Sequence, residues 1–257
     1  DGRTKVEVRK IDKSGDVEQK IFGRTFLPEE TKEIRLYGLE GEDQFIFKGE
    51  GPGDIKVRVI PGKGKKELID DAELKRKSHL IYQSKDAKNP LQTGASSRIK
   101  NAYNPNLLEY NRKEFKYDKL MPLASLEYNQ DDGIFFGAGV LWEKQGFKKE
   151  PYALRQSIKG NWAFKTNAFN LTYDGHAVDI LNNWDLVWKA DIKAPDYAFN
   201  FFGQGNESTY DPEKFEIRYY RSRFSWYELS TGLQSKLGEF GTFTIGPHYQ
   251  VYRFDPD

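Results

Sequence analysis

The chain has 257 residues, enough for one large or two medium domains. Its 40 basic and 39 acidic residues are interspersed and leave a net charge of +1, so no nucleic-acid footprint stands out. Cysteine is absent, which excludes a disulfide framework and thiolate metal centres. The mean hydropathy of −0.78 reflects the lack of any apolar run near the roughly 20 residues of a membrane helix. It does not exclude membrane strands, which need only about 10 residues, half of them facing water, so that an average cancels across the alternation. Aromatics make up 15% of the chain, rich for so polar a composition, and cluster after residue 100. The start, Asp1-Gly2-Arg3-Thr4, has no methionine or signal peptide and reads as the interior of a longer protein.

Residues 1–72 are polar, glycine-rich and strand-like. Val6 and Val8 alternate with charge, and Ile21-Phe22 precedes Gly23. The run from Glu33 to Tyr37 and the run from Gln44 to Phe47 flank a glycine turn; Ile55 to Val59 leads into a second, from Pro61 to Leu68. Two short strands each leading into a glycine turn predict a small stacked β unit. The second turn resembles the repeats-in-toxin nonapeptide, whose backbone and aspartate bind calcium in a parallel β-roll. Here Pro61 replaces the first glycine and Lys66 stands at the aspartate position, so a structural turn is favoured over a metal site. Asp43 in the first turn reads as a solvated turn residue, with calcium ligation as the alternative.

Residues 73–118 read as an extended connector. Asp70 to Lys77 could form a short helical turn but carries no apolar stripe, and Asn89-Pro90, Gly94-Ala95 and Asn104-Pro105 are breakers.

Residues 119–257 read as successive strands. Leu120, Pro122, Ala124, Leu126 and Tyr128 share one face of a period-two run. After Gln130-Asp131-Asp132-Gly133, a hairpin signal, Ile134, Phe136, Ala138, Val140 and Trp142 resume it. Leu154, Ile158, Trp162 and Phe164 follow, then Phe169, Leu171 and Tyr173. The clearest run sets Trp184, Leu186, Trp188, Ala190 and Ile192 against Asp185, Val187, Lys189, Asp191 and Lys193. Tyr197, Phe199 and Phe201, then Phe215, Ile217 and Tyr219, then Leu229, Leu233 and Leu237, and finally Phe243, Ile245, Pro247, Tyr249 and Val251 continue the theme. The pattern predicts seven to nine strands, with 214–236 as one strand or two.

A soluble sandwich alternates as well, with its apolar face packed on a second sheet. The apolar face here is heavy in Trp, Tyr and Phe near strand ends, as outer-membrane barrels carry in their interfacial girdles. The expectation is an all-β chain whose C-terminal part is an antiparallel transmembrane β-barrel wall. Its lipid-facing residues would be Leu126, Phe136, Val140, Trp142, Leu154, Ile158, Trp162, Phe164, Leu171, Trp184, Leu186, Trp188 and Ile192. Its lumen-facing residues would be Arg155, Lys159, Lys165, Asp185, Lys189 and Asp191.

The run Tyr110-Asn111-Arg112, Pro122-Leu123 and Tyr128 to Gly139 resembles the start of the barrel in the bacterial surface-antigen superfamily, which includes the outer-membrane protein insertases. Gly146-Phe147-Lys148-Lys149, Pro151-Tyr152 and Phe201 to Glu207 resemble one branch, in which the barrel follows a calcineurin-like metallophosphoesterase domain. Arg24-Thr25-Phe26 and Glu33 to Asp43 resemble the linker between those parts. The resemblance implies a bacterial outer-membrane location with the N-terminal part in the periplasm. It implies about half of a 16-strand barrel, and lipid together with outer-membrane or periplasmic proteins as partners. The parent protein would assist outer-membrane protein or lipid assembly, or anchor a periplasmic hydrolase.

No catalytic constellation is legible. His79, His176 and His248 are isolated, and the pairs Asp131-Asp132, Asp70-Asp71 and Glu29-Glu30 are adjacent, so on a strand they would face opposite ways. Gly203-Gln204-Gly205-Asn206 lacks the lysine and helix of a phosphate loop. The expectation is no enzyme activity in this chain, no cofactor and no metal. The competing expectations are a soluble carbohydrate-binding β-sandwich and the non-catalytic remainder of a metallophosphoesterase.

Overall fold

The computed structural model describes residues 2–12, 14–85, 91–102, 105–181, 183–205 and 210–254, without the side chains of residues 129 and 195–199. The breakers at Asn89-Pro90 and Asn104, the side chains of Tyr197 and Phe199, and Asn206-Glu207 therefore lie outside the described residues. The described chain is all-β, with short 3-10 turns at Pro105–Leu108 and Ile217–Tyr220. No described helix is long and apolar enough to cross a membrane. Two compact units divide at Glu114/Phe115.

The first unit holds β1 (Thr4–Ile11), β2 (Val17–Phe26), β3 (Glu33–Tyr37), β4 (Asp43–Phe47), β5 (Glu50–Gly51), β6 (Lys56–Ile60), β7 (Lys66–Asp70), β8 (Glu73–Leu74), β9 (His79–Ser84) and β10 (Ser97–Ala102). The first domain thus extends past residue 72, and the expected connector carries three strands, β8 to β10. The expected helical turn at Asp70–Lys77 is likewise replaced by the end of β7, β8 and a bend at Lys75-Arg76.

β1 and β2 form an antiparallel hairpin of their own. The rest is a parallel stack. β3 lies on β6, β4 on β7 and β5 on β8, with Glu33 opposite Lys56, Asp43 opposite Lys66 and Glu50 opposite Glu73, a constant step of 23 residues (56 − 33, 66 − 43 and 73 − 50). β9 adds a third rung on β6, and β10 pairs with β9, all parallel. This is a β-solenoid, in which each coil buries its apolar side only against its neighbours. Val57, Val59 and Ile81 are fully buried, with Leu36, Phe45, Phe47 and Leu68 packed around them.

The glycine turn at 61–64 is a stacking point of this coil. Gly62 has φ +72, and a Cβ there would run into the backbone of Leu39 in the preceding rung. Lys66 opens β7, and Asp43 opens β4 with Oδ2 buried; burial raises the Asp43 pKa above the usual carboxylate range, with Lys66 opposing.

His79 is buried in the coil, its ring stacked on Phe47 at 4.1 Å and its Nδ1 3.5 Å from Asp70 Oδ1. Asp70 also accepts from the Ser97 hydroxyl and, at 3.3 Å, from the Ala72 N–H. Burial lowers the His79 pKa below its ordinary value, while the Asp70 carboxylate partly opposes this. The unfolded chain therefore binds more protons than the folded one below about pH 6.5. The solenoid is expected to keep its full stability above that pH and to lose some as pH falls, with the slope reduced in His79→Leu. Hydrogen exchange of β9, corrected for intrinsic rates at pH 8 and pH 5.5, reads this; equal protection at both values would refute it.

The second unit holds β11 (Lys119–Asn129), β12 (Gly133–Lys144), β13 (Leu154–Ala163), β14 (Phe169–Leu181), β15 (Trp184–Asn200), β16 (Arg221–Lys236), β17 (Thr242–Ile245) and β18 (His248–Phe254). All eight join one antiparallel sheet, in sequence order through β17. β17 and β18 both pair with β16 in one register, Leu233 opposite Ile245 and Ser230 opposite His248. They are one strand track interrupted at Gly246-Pro247, where proline has no N–H to give the ladder. The eight strands therefore occupy seven tracks, and among the described residues the sheet does not close on itself.

The alternation of Phe215, Ile217 and Tyr219 does not mark a strand. Residues 217–220 form a 3-10 turn, where Phe215 stacks on Tyr219 at 4.2 Å and Tyr220 packs against Phe202 and Tyr210. β16 is a single strand that begins only at Arg221.

Candidate lipid-facing and lumen-facing surfaces

Directly opposed residues in an antiparallel pair lie on the same face, so the register sorts each side chain. One row runs Leu126, Phe136, Trp162, Phe169, Ala194. The next runs Ala124, Ala138, Gly160, Leu171, Ile192. A third runs Pro122, Val140, Ile158, Tyr173, Ala190, Leu229, Tyr249. Beyond them lie Leu120, Trp142, Gln156, Gly175, Trp188, then Leu154, Ala177, Leu186, Leu233, Ile245, and finally Trp184 with Phe243 across Ser235. Every strand residue expected to face lipid falls on this face. Phe164 lies one residue past β13 and stacks on Trp162 at 5.9 Å, beside Phe136 at 5.5 Å.

The rows are not uniform. The central two hold mostly small and aliphatic side chains, whereas rings gather on either side: Phe136, Trp162, Phe164 and Phe169 on one, Trp142, Trp188, Trp184 and Phe243 on the other. Tyr173, Tyr227 and Tyr249 are rings in the central band; the Tyr173 hydroxyl donates to Gln156 Oε1 at 2.8 Å, so its polar end is satisfied within the face.

The opposite face carries charged and amide side chains, together with Leu123, Phe135, Leu141, Val187 and Trp226. Arg155, Lys159, Asp185, Lys189 and Asp191 lie on it, as expected from their positions in the alternation. Lys165 does not: the tight turn after β13 ends the strand at Ala163, with Asn167 at φ 59, and Lys165 sits in that turn. Its alternation with Lys159 was an extension of strand periodicity into two residues that have left the strand.

Polar groups on this face bond to one another across strands. Ser125 Oγ lies 2.6 Å from Asn161 Oδ1, Asn161 reaches Asn170, and Asn170 Nδ2 donates to Asp191 Oδ1 at 2.8 Å. The link passes over Gly137, where a Cβ would collide with both Asn161 and Ser125. Glu143 faces Lys119 at 3.2 Å and Arg155 at 3.6 Å. His176 bridges the Tyr152 hydroxyl and Asp185 Oδ2, each at 2.9 Å, and one neutral tautomer serves both. Lys189 pairs with Glu228 at 3.3 Å, which His248 also approaches at 3.4 Å. Among the described residues no three His, Asp or Glu side chains group as a metal site.

Exposure inverts the order of a soluble sheet. On the apolar face Leu126 is 69% exposed, Trp162 53% and Leu229 59%; on the polar face Asn161 is 5% and Asp191 7% exposed. Among the described residues of this unit no second sheet covers either face, so the burial of this face comes from the sheet curling toward it.

The turn at 130–132, expected only as a hairpin turn, shows the curl directly. Asp131 Oδ1 accepts from the Arg221 guanidinium at 2.5 Å and from Asn200 Nδ2 at 2.8 Å. Asn200 ends β15, three strands from β12, which a flat sheet would hold about 14 Å away. Asp132 is fully buried and accepts from Thr166 at 2.8 Å. Asp131→Asn is expected to loosen this end by about 1–2 kcal/mol, since a half-buried charged hydrogen bond becomes a neutral one. Faster hydrogen exchange at residues 130–134 with an unchanged β13 would report it; unchanged exchange at both would contradict it.

No family model, no curated protein and no solved structure matches the chain.

Proposed function

We propose that residues 115–257 form part of the wall of an antiparallel transmembrane β-barrel in a bacterial outer membrane, and that the chain itself is not an enzyme. One observation carries the reading: a single sheet turns bulky apolar side chains outward and holds its charged and amide side chains in a curled, mutually bonded interior. In water that order wastes apolar burial and removes polar groups from solvent. In a bilayer it is the stable one, because hydrocarbon solvates the outer face and the inner face can line a hydrated lumen. The bands of rings flanking an aliphatic belt match the two interfaces of such a wall.

The solenoid then lies in the periplasm. By its resemblance to the surface-antigen superfamily, the parent protein assists outer-membrane protein or lipid assembly or translocation, or anchors a periplasmic hydrolase. Outer-membrane lipid is the first partner, with outer-membrane or periplasmic proteins as further ones.

The test is tryptophan quenching in vesicles of phosphatidylcholine carrying bromine along the acyl chains. Trp142, Trp162, Trp184 and Trp188 are expected to be quenched, and a Trp162→Phe variant to lose part of that signal. A chain that stays monodisperse without detergent, does not float with vesicles and shows no quenching is not a membrane barrel.

A further inference from the structure

We propose that the outward face of the four-stranded solenoid sheet is a docking surface for the anionic phospholipid headgroups of a bilayer. The sheet runs β10, β9, β6, β3, all parallel. Val57, Val59 and Ile81 point from it into the core, so the residues that alternate with them point out. Across the strands Arg35 stands opposite Arg58, Arg58 opposite Leu80, and Leu80 opposite Arg98. Lys56 and Lys100 take the outward positions two residues from Arg58 and Arg98. Against these five cations the outward positions of the four strands hold one acid, Glu33.

Glu33 is already shared: Oε1 accepts from Arg35 Nε at 2.9 Å, and Oε2 lies 2.9 Å from Arg58 Nε. Arg58 also donates to the Tyr82 hydroxyl and lies over its ring, 5.7 Å from the centroid. Lys56, Arg98 and Lys100 are exposed, and among the described residues no side-chain hydrogen bond or ion pair holds them. The chain leaves the unit across one end of this face. There the 3-10 turn at 105–108 lies against β9 and β10, and Tyr110 packs on Tyr37 at 5.0 Å. The charges of residues 105–114 cancel, Arg112 and Lys113 against Glu109 and Glu114. The face therefore keeps an excess of four positive charges (5 − 1), in a chain whose net charge is +1.

Charge calls for an anionic occupant, and breadth and tethering select a bilayer. Four strands about 4.8 Å apart spread the cations over a width of about 14 Å, more than one extended peptide covers. A lipid surface meets all of them at once. On the reading that β11 enters the membrane, on which this inference rests, residues 115–118 tether the solenoid to the bilayer. Five extended steps from Glu114 to Lys119 span at most about 18 Å. Such a tether makes the encounter intramolecular, which favours the membrane over a free acidic partner. Each cation beside an anionic lipid surface contributes about fivefold in affinity, so the three exposed ones together act strongly.

The reporter is bimane on Leu80→Cys, in a chain with no other cysteine; Glu67→Cys, on the β4–β7 side of the coil, is the control. The whole chain is refolded into phosphatidylcholine vesicles carrying a headgroup nitroxide, with or without phosphatidylglycerol. Phosphatidylglycerol is expected to bring quenching at position 80 and none at position 67. The docking constant is expected to fall about tenfold or more in Arg98→Gln/Lys100→Gln. It should fall likewise at about 1 M salt, where the screening length is about 3 Å. Both replaced side chains are exposed and unpartnered, so hydrogen exchange of β9 should match the parent. Quenching at 80 that ignores phosphatidylglycerol, the substitutions or salt, or that equals quenching at 67, would each overturn the proposal. Polyglutamate that relieves the quenching at a lower charge concentration than the lipid would identify an acidic polypeptide as the occupant and overturn it as well. Tryptophan quenching by brominated acyl chains in parallel vesicles reports insertion separately. Quenched tryptophans with no signal at position 80 would remove this inference alone, and unquenched tryptophans would remove the barrel wall.

Discussion

Ile158→Arg is expected to abolish stable insertion into lipid vesicles, while Ser157→Arg, one residue away, is expected to leave it intact. Ile158 sits in the central belt of the outward face, opposite Val140 and Tyr173. A guanidinium there would meet hydrocarbon, at a cost of about 2–4 kcal/mol at the midplane of a barrel wall. Ser157 lies on the inner face, opposite Leu141 and Asp174, where an added cation has a carboxylate and water beside it. Flotation of refolded protein with vesicles, together with protease protection, separates the two variants. A soluble sandwich, its apolar face packed on a second sheet, predicts instead that neither variant nor the parent chain floats with vesicles.

Ile81→Ala is expected to cost the solenoid about 2–5 kcal/mol, the range for truncating a fully buried aliphatic side chain. Ile81 has no exposed surface and packs in the column with Val57 and Val59. A solenoid has little redundancy, since each coil contacts only its neighbours and a cavity in the third rung weakens the support of the second. Hydrogen exchange resolved by peptide should rise across β6, β7 and β9 and stay constant across β12 to β14. Uniform change in both units, or none in either, would mean that the buried column does not hold the coil together. A single global unfolding energy would not serve here, because the chain has two units.

The sheet of the second unit was legible because its signal is local. Trp184 to Ile192 alternates without a break, and Asp132-Gly133 marks the hairpin, so faces followed from counting by twos. Counting failed where the strand ended without a breaker. Lys165 and Phe215 to Tyr219 keep the period of a strand, yet turn backbone and ring stacking take them out of the ladder. The link from Asp131 to Arg221 spans 90 residues and depends on sheet curvature, for which no local pattern exists.

The solenoid was half legible. Its glycine turns and short strands were visible, but β8 to β10 were assigned to a connector because they are short and lie among breakers. The period was present all along: Ile34 and Leu36 stand 23 residues before Val57 and Val59, and Phe45 stands 23 before Leu68. Comparing the chain with itself, rather than scanning for apolar stripes, would have found it.

That spacing limits how the gene can change. Val57 stands above His79 at a step of 22 rather than 23, so the chain absorbs a one-residue loss between these rungs while keeping the strands aligned. A codon deleted within Glu33–Tyr37 has no such bend to hide in: it would swap inward for outward positions along the strand. Length variants of this half of the protein should therefore differ by whole coils or by bend residues, and duplication of one coil is the simplest way for it to become longer.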